Sequence, residues 1–176
     1  MKKHLTTPFT ENIIEDLRAG DEVLISGIIY TGRDAAHKRL SLLIAENRPL
    51  PVDLDSQVLY YTGPTPPRPG KAIGSAGPTT SSRMDRYTPD LIRTSHLRGI
   101  IGKGNRSHEV IQSFIDYGCV YFTAIGGAGA LLSKSITAAE IVCYEDLGAE
   151  AIYKLTVRDF PAIVTIDCRG GNLYVR

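Results

Sequence analysis

The sequence predicts an α/β fold: a single layered domain built on a mixed sheet. Three observations carry that expectation. Strand-like and helix-like runs alternate through the middle of the chain, the pattern of a sheet covered by helices. Strand-like runs then cluster after Ile136, which makes the sheet mixed. The 176 residues suffice for one domain with a proper core. Hydrophobic residues make up 43% and charged residues 22%, the balance of an ordinary globular protein.

In chain order, Thr10 is placed to cap a short helix, Glu11 to Arg18. Its Ile13, Ile14 and Leu17 share a face, and Gly20 ends it. Val23 to Tyr30 is rich in β-branched residues and reads as a buried strand. It runs into Thr31-Gly32-Arg33-Asp34. Asp34 is the expected N-cap of a helix with Ala36, Leu40, Leu43 and Ile44 on one face. Arg33 then falls at a strand-to-helix junction, where residues on a rigid scaffold carry function. The plainer alternative is a solvated junction residue. His37, near the start of that helix, reads as a structural histidine. Asn47 to Ser56 is a loop and Val58 to Gly63 a short strand. Pro64 to Gly70 is a stiff connector of polyproline character.

A β-like run containing Ala72, Ile73 and Ala76 leads into Gly77-Pro78-Thr79-Thr80-Ser81-Ser82-Arg83-Met84-Asp85. Gly-Pro turns the backbone sharply. Four hydroxyl residues follow at an expected helix start, with Arg83 one turn in, which is a site shaped for an anion. The bland reading is a capped helix with a surface arginine. Thr88-Pro89-Asp90 restarts a helix with proline in its first turn. Arg98 to Ile101 is a strand that opens into Gly102-Lys103-Gly104. The two glycines let the backbone turn tightly while the ammonium projects beyond the strand end. The phosphate-loop pattern G-x-x-x-x-G-K-[ST] is absent.

Ser107 caps the next helix, whose expected buried face is Val110, Ile111, Phe114 and Ile115, and Gly118 stops it. Cys119 to Thr123 is a strand. The glycine-rich run Gly126-Gly127-Ala128-Gly129 follows it without the G-x-G-x-x-G spacing of a dinucleotide loop. Close approach to a neighbouring loop or subunit is the expected reason for it. Ile136 to Tyr144, Ile152 to Val157 and Ala162 to Cys168 read as strands, the last two separated at Phe160-Pro161. A turn at Arg169 to Asn172 leads to Leu173-Tyr174-Val175.

The totals exclude several classes of function. A net charge of +1 and a pI near 7.7 give no basic field for nucleic acid. No apolar run approaches the ~20 residues of a membrane span. Met1 to Thr10 carries two lysines and no apolar segment, unlike a signal peptide, so a cytoplasmic protein is expected. Cys119, Cys143 and Cys168 each lie in an apolar, strand-like run and form no C-x-x-C pair. Core packing is expected for them, ahead of disulfides or an iron–sulfur cluster held by this chain.

Three segments stand together: Thr31-Gly32-Arg33-Asp34-Ala35-Ala36-His37-Lys38-Arg39, Gly77 to Asp85, and Ile101-Gly102-Lys103-Gly104. In order and spacing they resemble the β subunit of class I, iron–sulfur-dependent fumarate hydratases. The same subunit type occurs in L-tartrate dehydratase. The likeness runs from Thr6-Thr7-Pro8 to Asn172-Leu173-Tyr174. It implies a swivelling β/β/α domain over residues 1–176. It also implies an α subunit, or a fused N-terminal domain in other relatives, that carries a [4Fe-4S] cluster on three cysteines. The expected assembly is a hetero-oligomer such as α2β2, with the active site between the two polypeptides.

The resemblance further implies residue roles for a small dicarboxylate substrate. Arg33 and Arg83 would each bind a carboxylate bidentately. Thr79 would take the proton, and Thr80 would support substrate binding. Lys103 would steady the negative charge that develops on the carboxylate during proton removal. The implied reaction is the reversible hydration of fumarate to L-malate. L-Tartrate dehydration is the neighbouring alternative, although Gly32 and Ala36 stand where tartrate dehydratases tend towards Cys. A non-catalytic anion-binding module is the alternative from another class.

Overall fold

The computed structural model describes residues 1–124 and 129–175. Its principal elements, in order, are β1 (Lys3–Thr6), α1 (Glu11–Asp16), β2 (Glu22–Thr31), α2 (Asp34–Ala45) and β3 (Val58–Tyr60). A 3-10 turn (Ser81–Met84) and α3 (Thr88–Ser95) come next, then β4 (Gly99–Gly102), α4 (His108–Tyr117) and β5 (Val120–Ala124). The chain closes with α5 (Gly129–Leu132), β6 (Ile136–Cys143) and β7 (Ile152–Ile166).

The strand order is β1-β2-β3-β4-β5-β7-β6, with an additional pairing of β2 to β7. β1 to β5 pair in parallel, and β7 runs antiparallel to β2, β5 and β6. Because β7 pairs with β5 on one edge and β2 on the other, strands β2, β3, β4, β5 and β7 close into a five-stranded barrel. β1 and β6 extend the sheet as flanking strands.

Alternation along the strands sorts the core into two layers. Val58 and Tyr60 join Ile25, Ile29, Ile101, Phe122 and Val164 in one cluster. Their neighbours Leu59 and Tyr61 face the other way, with Ile100 and Tyr121, against Ala36 and Leu40 of α2, Leu91 and Ile92 of α3, and Phe114 of α4. The α/β expectation with a mixed sheet holds, and the sheet closes on itself.

Most caps behave as the sequence indicates. The Thr10 hydroxyl accepts from Ile13 N–H, and Ser107 accepts from Val110 N–H. Gly118 ends α4 at φ 65°. The elements differ from expectation in several places. α1 stops at Asp16, leaving Arg18 outside it. Asp34 is the first helical residue of α2, and Arg33 occupies the N-cap with no capping hydrogen bond. The run through Ala72, Ile73 and Ala76 is not a strand, although Ile73 and Ala76 are buried. Ile115 is 40% exposed rather than buried.

Finally, the two strands expected on either side of Phe160-Pro161 are one, β7. Asp159 sits at φ 50° where β2 shifts register between Ile25 and Gly27, and that bulge passes the proline through the ladder opposite Leu24. Of the glycine-rich run, Gly126, Gly127 and Ala128 lie outside the described residues. Gly129 behaves as expected: a Cβ there would come within 2.9 Å of Gly77 N, so two backbones pass close together.

Candidate active site

The C-terminal ends of the parallel strands β2, β3 and β4 collect the polar residues singled out in the sequence. In α/β sheets these ends are where ligands bind. β2 delivers Arg33, and β4 delivers Lys103. The extension of β3 through Tyr61 and Thr62 holds the segment that carries Thr79 and Thr80. Thr79 N–H donates to Tyr61 O at 2.7 Å, the Thr62 hydroxyl donates to Gly77 O at 2.7 Å, and the Tyr60 hydroxyl donates to Ala76 O. Segment 76–79 therefore hangs on β3 by hydrogen bonds rather than by a strand of its own.

From there the chain turns into the 3-10 segment and meets β4. Thr80 forms an isolated parallel bridge with Lys103. Ser81 N–H donates to Lys103 O at 3.0 Å, and Lys103 N–H donates to the Ser81 hydroxyl at 3.1 Å. The Tyr121 hydroxyl donates to Gly104 O at 2.8 Å, and its oxygen accepts from the Ser81 hydroxyl at 2.9 Å. Burial pushes the Tyr121 phenol well up, so it stays a donor. Gly102 makes this approach possible, because a Cβ there would fall 1.9 Å from the Ser81 oxygen. The expected helix N-terminus of converging donors is not formed. The turn is four residues of 3-10 helix, and Thr80 makes no capping hydrogen bond.

The two arginines meet at Asp34. Arg83 Nε donates to Asp34 Oδ1 at 3.0 Å, with Nη2 2.9 Å from Oδ2. Arg33 Nε lies 4.0 Å from Asp34 Oδ2 and 4.0 Å from Glu150 Oε1. Opposite Arg33 stands Gly63, where a Cβ would come 2.8 Å from the arginine Cδ and 2.9 Å from Nη1. The structure thus brings Arg33 and Arg83 to one carboxylate. It sets Thr80 against Lys103, with Thr79 beside them, and the 3-10 turn joins the two groups. Thr79 is half-buried, while Thr80, Arg83 and Lys103 are exposed, so the arrangement lies open at the molecular surface. A cavity of about 430 Å³, lined by Arg98, Cys168 and Arg169 among others, lies near the opposite, N-terminal ends of β4 and β5.

His37 is structural, as its sequence context suggests. Its Nδ1 lies 2.7 Å from Arg33 O, and its ring packs edge-on against Tyr61. Burial pulls its pKa down to about 4, so the ring is neutral at pH 7. A neutral ring donates from Nδ1 to the Arg33 carbonyl, which fixes the N-cap residue's backbone.

Sequence reasoning missed Arg106 and its carboxylate partner. Arg106, with no side-chain exposure, donates from Nε to Asp85 Oδ1 at 2.7 Å and from Nη2 to the Thr88 hydroxyl at 2.8 Å. Its guanidinium lies over the rings of Tyr61, Phe114 and Tyr121. The other Asp85 oxygen accepts from Ser107 N–H at 2.8 Å. This network locks the 3-10 turn to the start of α4. Nothing local marks Arg106 in the sequence, since its partner lies 21 residues earlier.

The described residues offer little to a metal cluster. Among the described residues no three His, Cys, Asp or Glu side chains group as a metal site. Cys119 is buried, and burial pushes its thiol up to about 12, opposite to what thiolate ligation requires. Among the described residues no helix is long and apolar enough to cross a membrane.

Known proteins resemble the chain along most of its length. The family model described as the fumarase C-terminus matches residues 2–176. Class I anaerobic fumarate hydratase of Escherichia coli K12 is 41% identical over 85% of the chain, which covers 28% of that protein's length. Fumarate hydratase 2 of Leishmania major is 38% identical over 88% of the chain, again 28% of its length. A protein of Methanocaldococcus jannaschii named "Putative L(+)-tartrate dehydratase subunit beta" is 36% identical over 94% of the chain and is covered over 87% of its own length. The chain thus spans less than a third of these two fumarate hydratases and most of the archaeal subunit. With a match over nearly its whole length, the chain belongs to the fumarase C-terminus family.

Proposed function

We propose that this chain supplies the carboxylate-binding and proton-handling half of a hydro-lyase site for a small dicarboxylate, with fumarate and L-malate as the substrate pair. The observation that supports it most is the gathering of Arg33 and Arg83 on Asp34, beside a turn that carries Thr79 and Thr80 and pairs with Lys103. Two carboxylates need two cationic forks, and each guanidinium can take one bidentately. Removing a proton from the carbon beside a carboxylate builds negative charge on that group. A cation such as the Lys103 ammonium steadies it, a contribution typically of about 2.7–4 kcal/mol. Thr79 is the residue assigned to the proton. A hydroxyl is a poor base unaided, so an activating neighbour belongs to the mechanism, either Lys103 or a carboxylate of the partner.

In this reading the other half of the pocket, and the [4Fe-4S] cluster expected for class I enzymes, belong to an α subunit in an α2β2-type assembly. Among the described residues no three His, Cys, Asp or Glu side chains group as a metal site. The test is to purify the chain with its co-purifying partner, reconstitute the pair anaerobically and assay malate, fumarate and tartrate. Malate turnover by the pair and not by this chain alone is the expected result. Arg83→Ala should lower kcat/KM about 10- to 100-fold, the range for a hydrogen-bonded ion pair lost from the transition state. Unchanged turnover in that variant, with the cluster intact, would leave only a non-catalytic anion-binding module.

A second reading, the β subunit of an L-tartrate dehydratase, is favoured by one fact: the archaeal relative of that name matches over most of its own length. Tartrate has a second hydroxyl, and a site built to bond it rejects malate strongly. Tartrate turnover without malate turnover would select this reading.

A further inference from the structure

We propose that Asp34 is a positioning residue for the dicarboxylate site. It holds Arg83 by its Nε edge and faces the unbonded Nε of Arg33, so that the outer edges of both guanidiniums address one dianion. The inference rests on the reading above and names a residue which that reading does not use.

Four features of the geometry carry it. Asp34 meets Arg83 through Nε at 3.0 Å and Nη2 at 2.9 Å, which occupies one edge of the guanidinium. The outer edge, formed by the two terminal nitrogens, keeps donors for a second carboxylate. Arg33 Nε is buried without a hydrogen bond and stands 4.0 Å from Asp34 Oδ2, a buried oxygen whose near partner is the Arg83 Nη2 of the ion pair. A closure of about 1 Å would convert that gap into a hydrogen bond, and hydrogen bonds at such sites commonly tighten when substrate binds. The Arg33 side chain has few other places to go, because Gly63 lies against it and Glu150 sits 4.0 Å from its Nε. Glu150 is itself tied to α2, accepting from Ala35 N–H at 3.3 Å. Finally, two guanidiniums near one point repel each other, and the Asp34 carboxylate between them offsets that repulsion in the unliganded chain. The first residue of α2 thus serves β2 and the 3-10 turn together.

The test uses Asp34→Asn, which keeps size and removes charge, and Asp34→Glu, which restores charge on a longer stem. In the full chain, the Arg83 Nε–H proton should exchange slowly by NMR and lose that protection in Asp34→Asn. In the reconstituted complex, Asp34→Asn should raise KM for malate about tenfold while kcat changes less than about threefold. Asp34→Glu should recover part of the KM. Unchanged Nε–H protection in Asp34→Asn would overturn the inference. So would an unchanged KM accompanied only by a lower melting temperature, which is what a purely structural carboxylate would give. An unmodified complex that turned over no dicarboxylate would end the hydro-lyase reading instead, and the Nε–H measurement would still decide what Asp34 does.

Discussion

At the scale of single residues, burial and partners decide what each polar side chain does. His37 is the clearest titrating case. Its pKa is about 4 in the folded chain, lowered by burial, against about 6.5 unfolded. Between those values the unfolded chain binds the extra proton, so stability falls as pH drops from 6.5 towards 4 and levels off below. The shift corresponds to about 3 kcal/mol. Urea unfolding at stepped pH should show the loss, and His37→Gln should flatten the profile across that window. Lys103 presents the opposite situation. Its backbone ties the 3-10 turn through Ser81, while its exposed ammonium has no structural partner among the described hydrogen bonds and ion pairs. Lys103→Ala should therefore lower kcat about 100- to 1,000-fold in the reconstituted complex while the melting temperature stays put. Arg33, Arg83 and Lys103 stood out in the sequence at a strand-to-helix junction, after a run of hydroxyl residues and between two glycines, and the roles expected of them came from the family resemblance. Asp34 read only as a helix cap, since its hydrogen-bond partner Arg83 lies 49 residues later in the chain.

At the scale of elements, the site depends on a 3-10 turn fastened on two sides. On one side Gly102 lets the Ser81 hydroxyl reach Lys103 N–H. Gly102→Ala would drive a methyl into that oxygen and should cost about 1–3 kcal/mol, as overpacking does. Ser81→Ala removes the oxygen along with its hydrogen bonds. The double variant should be less destabilised than the sum of the two, and a denaturation cycle measures that coupling. On the other side Asp85 clasps Arg106. Removing one partner of a buried ion pair leaves a charge without compensation, so Asp85→Ala should cost about 3–5 kcal/mol. Much smaller destabilisation would mean that the turn is held by β4 alone. The sequence marked this segment by its hydroxyl run but suggested a longer helix there. The departure has a physical cause: the Ser81 side chain and the Thr80 backbone are committed to β4, which leaves Thr80 unable to cap. Pro161 misled in the same way. A proline ordinarily ends a strand, yet the bulge at Asp159 lets β7 continue past it.

At the scale of the whole molecule, alternating helical and strand patterns are local signals, and they gave the parallel half of the sheet. Closure is not local. It needs β7 to pair with β5, about forty residues earlier in the chain, and with β2, over a hundred residues earlier, and no periodicity encodes such partners. Closure also sets where the fold should open first. β2 and β7 are paired along nearly their whole length and line both core layers, so their amides should exchange with solvent only through global unfolding. Among the described residues β6 pairs on one side alone, and most of its side chains are exposed. Its amides should separate into two classes in the free chain: those bonded to β7 slow, and the alternate ones exchanging freely. Hydrogen exchange read by NMR on the isolated chain at several concentrations measures this directly. Uniform, concentration-dependent protection along β6 would mean that a second chain covers this edge, and the free edge expected here would be wrong.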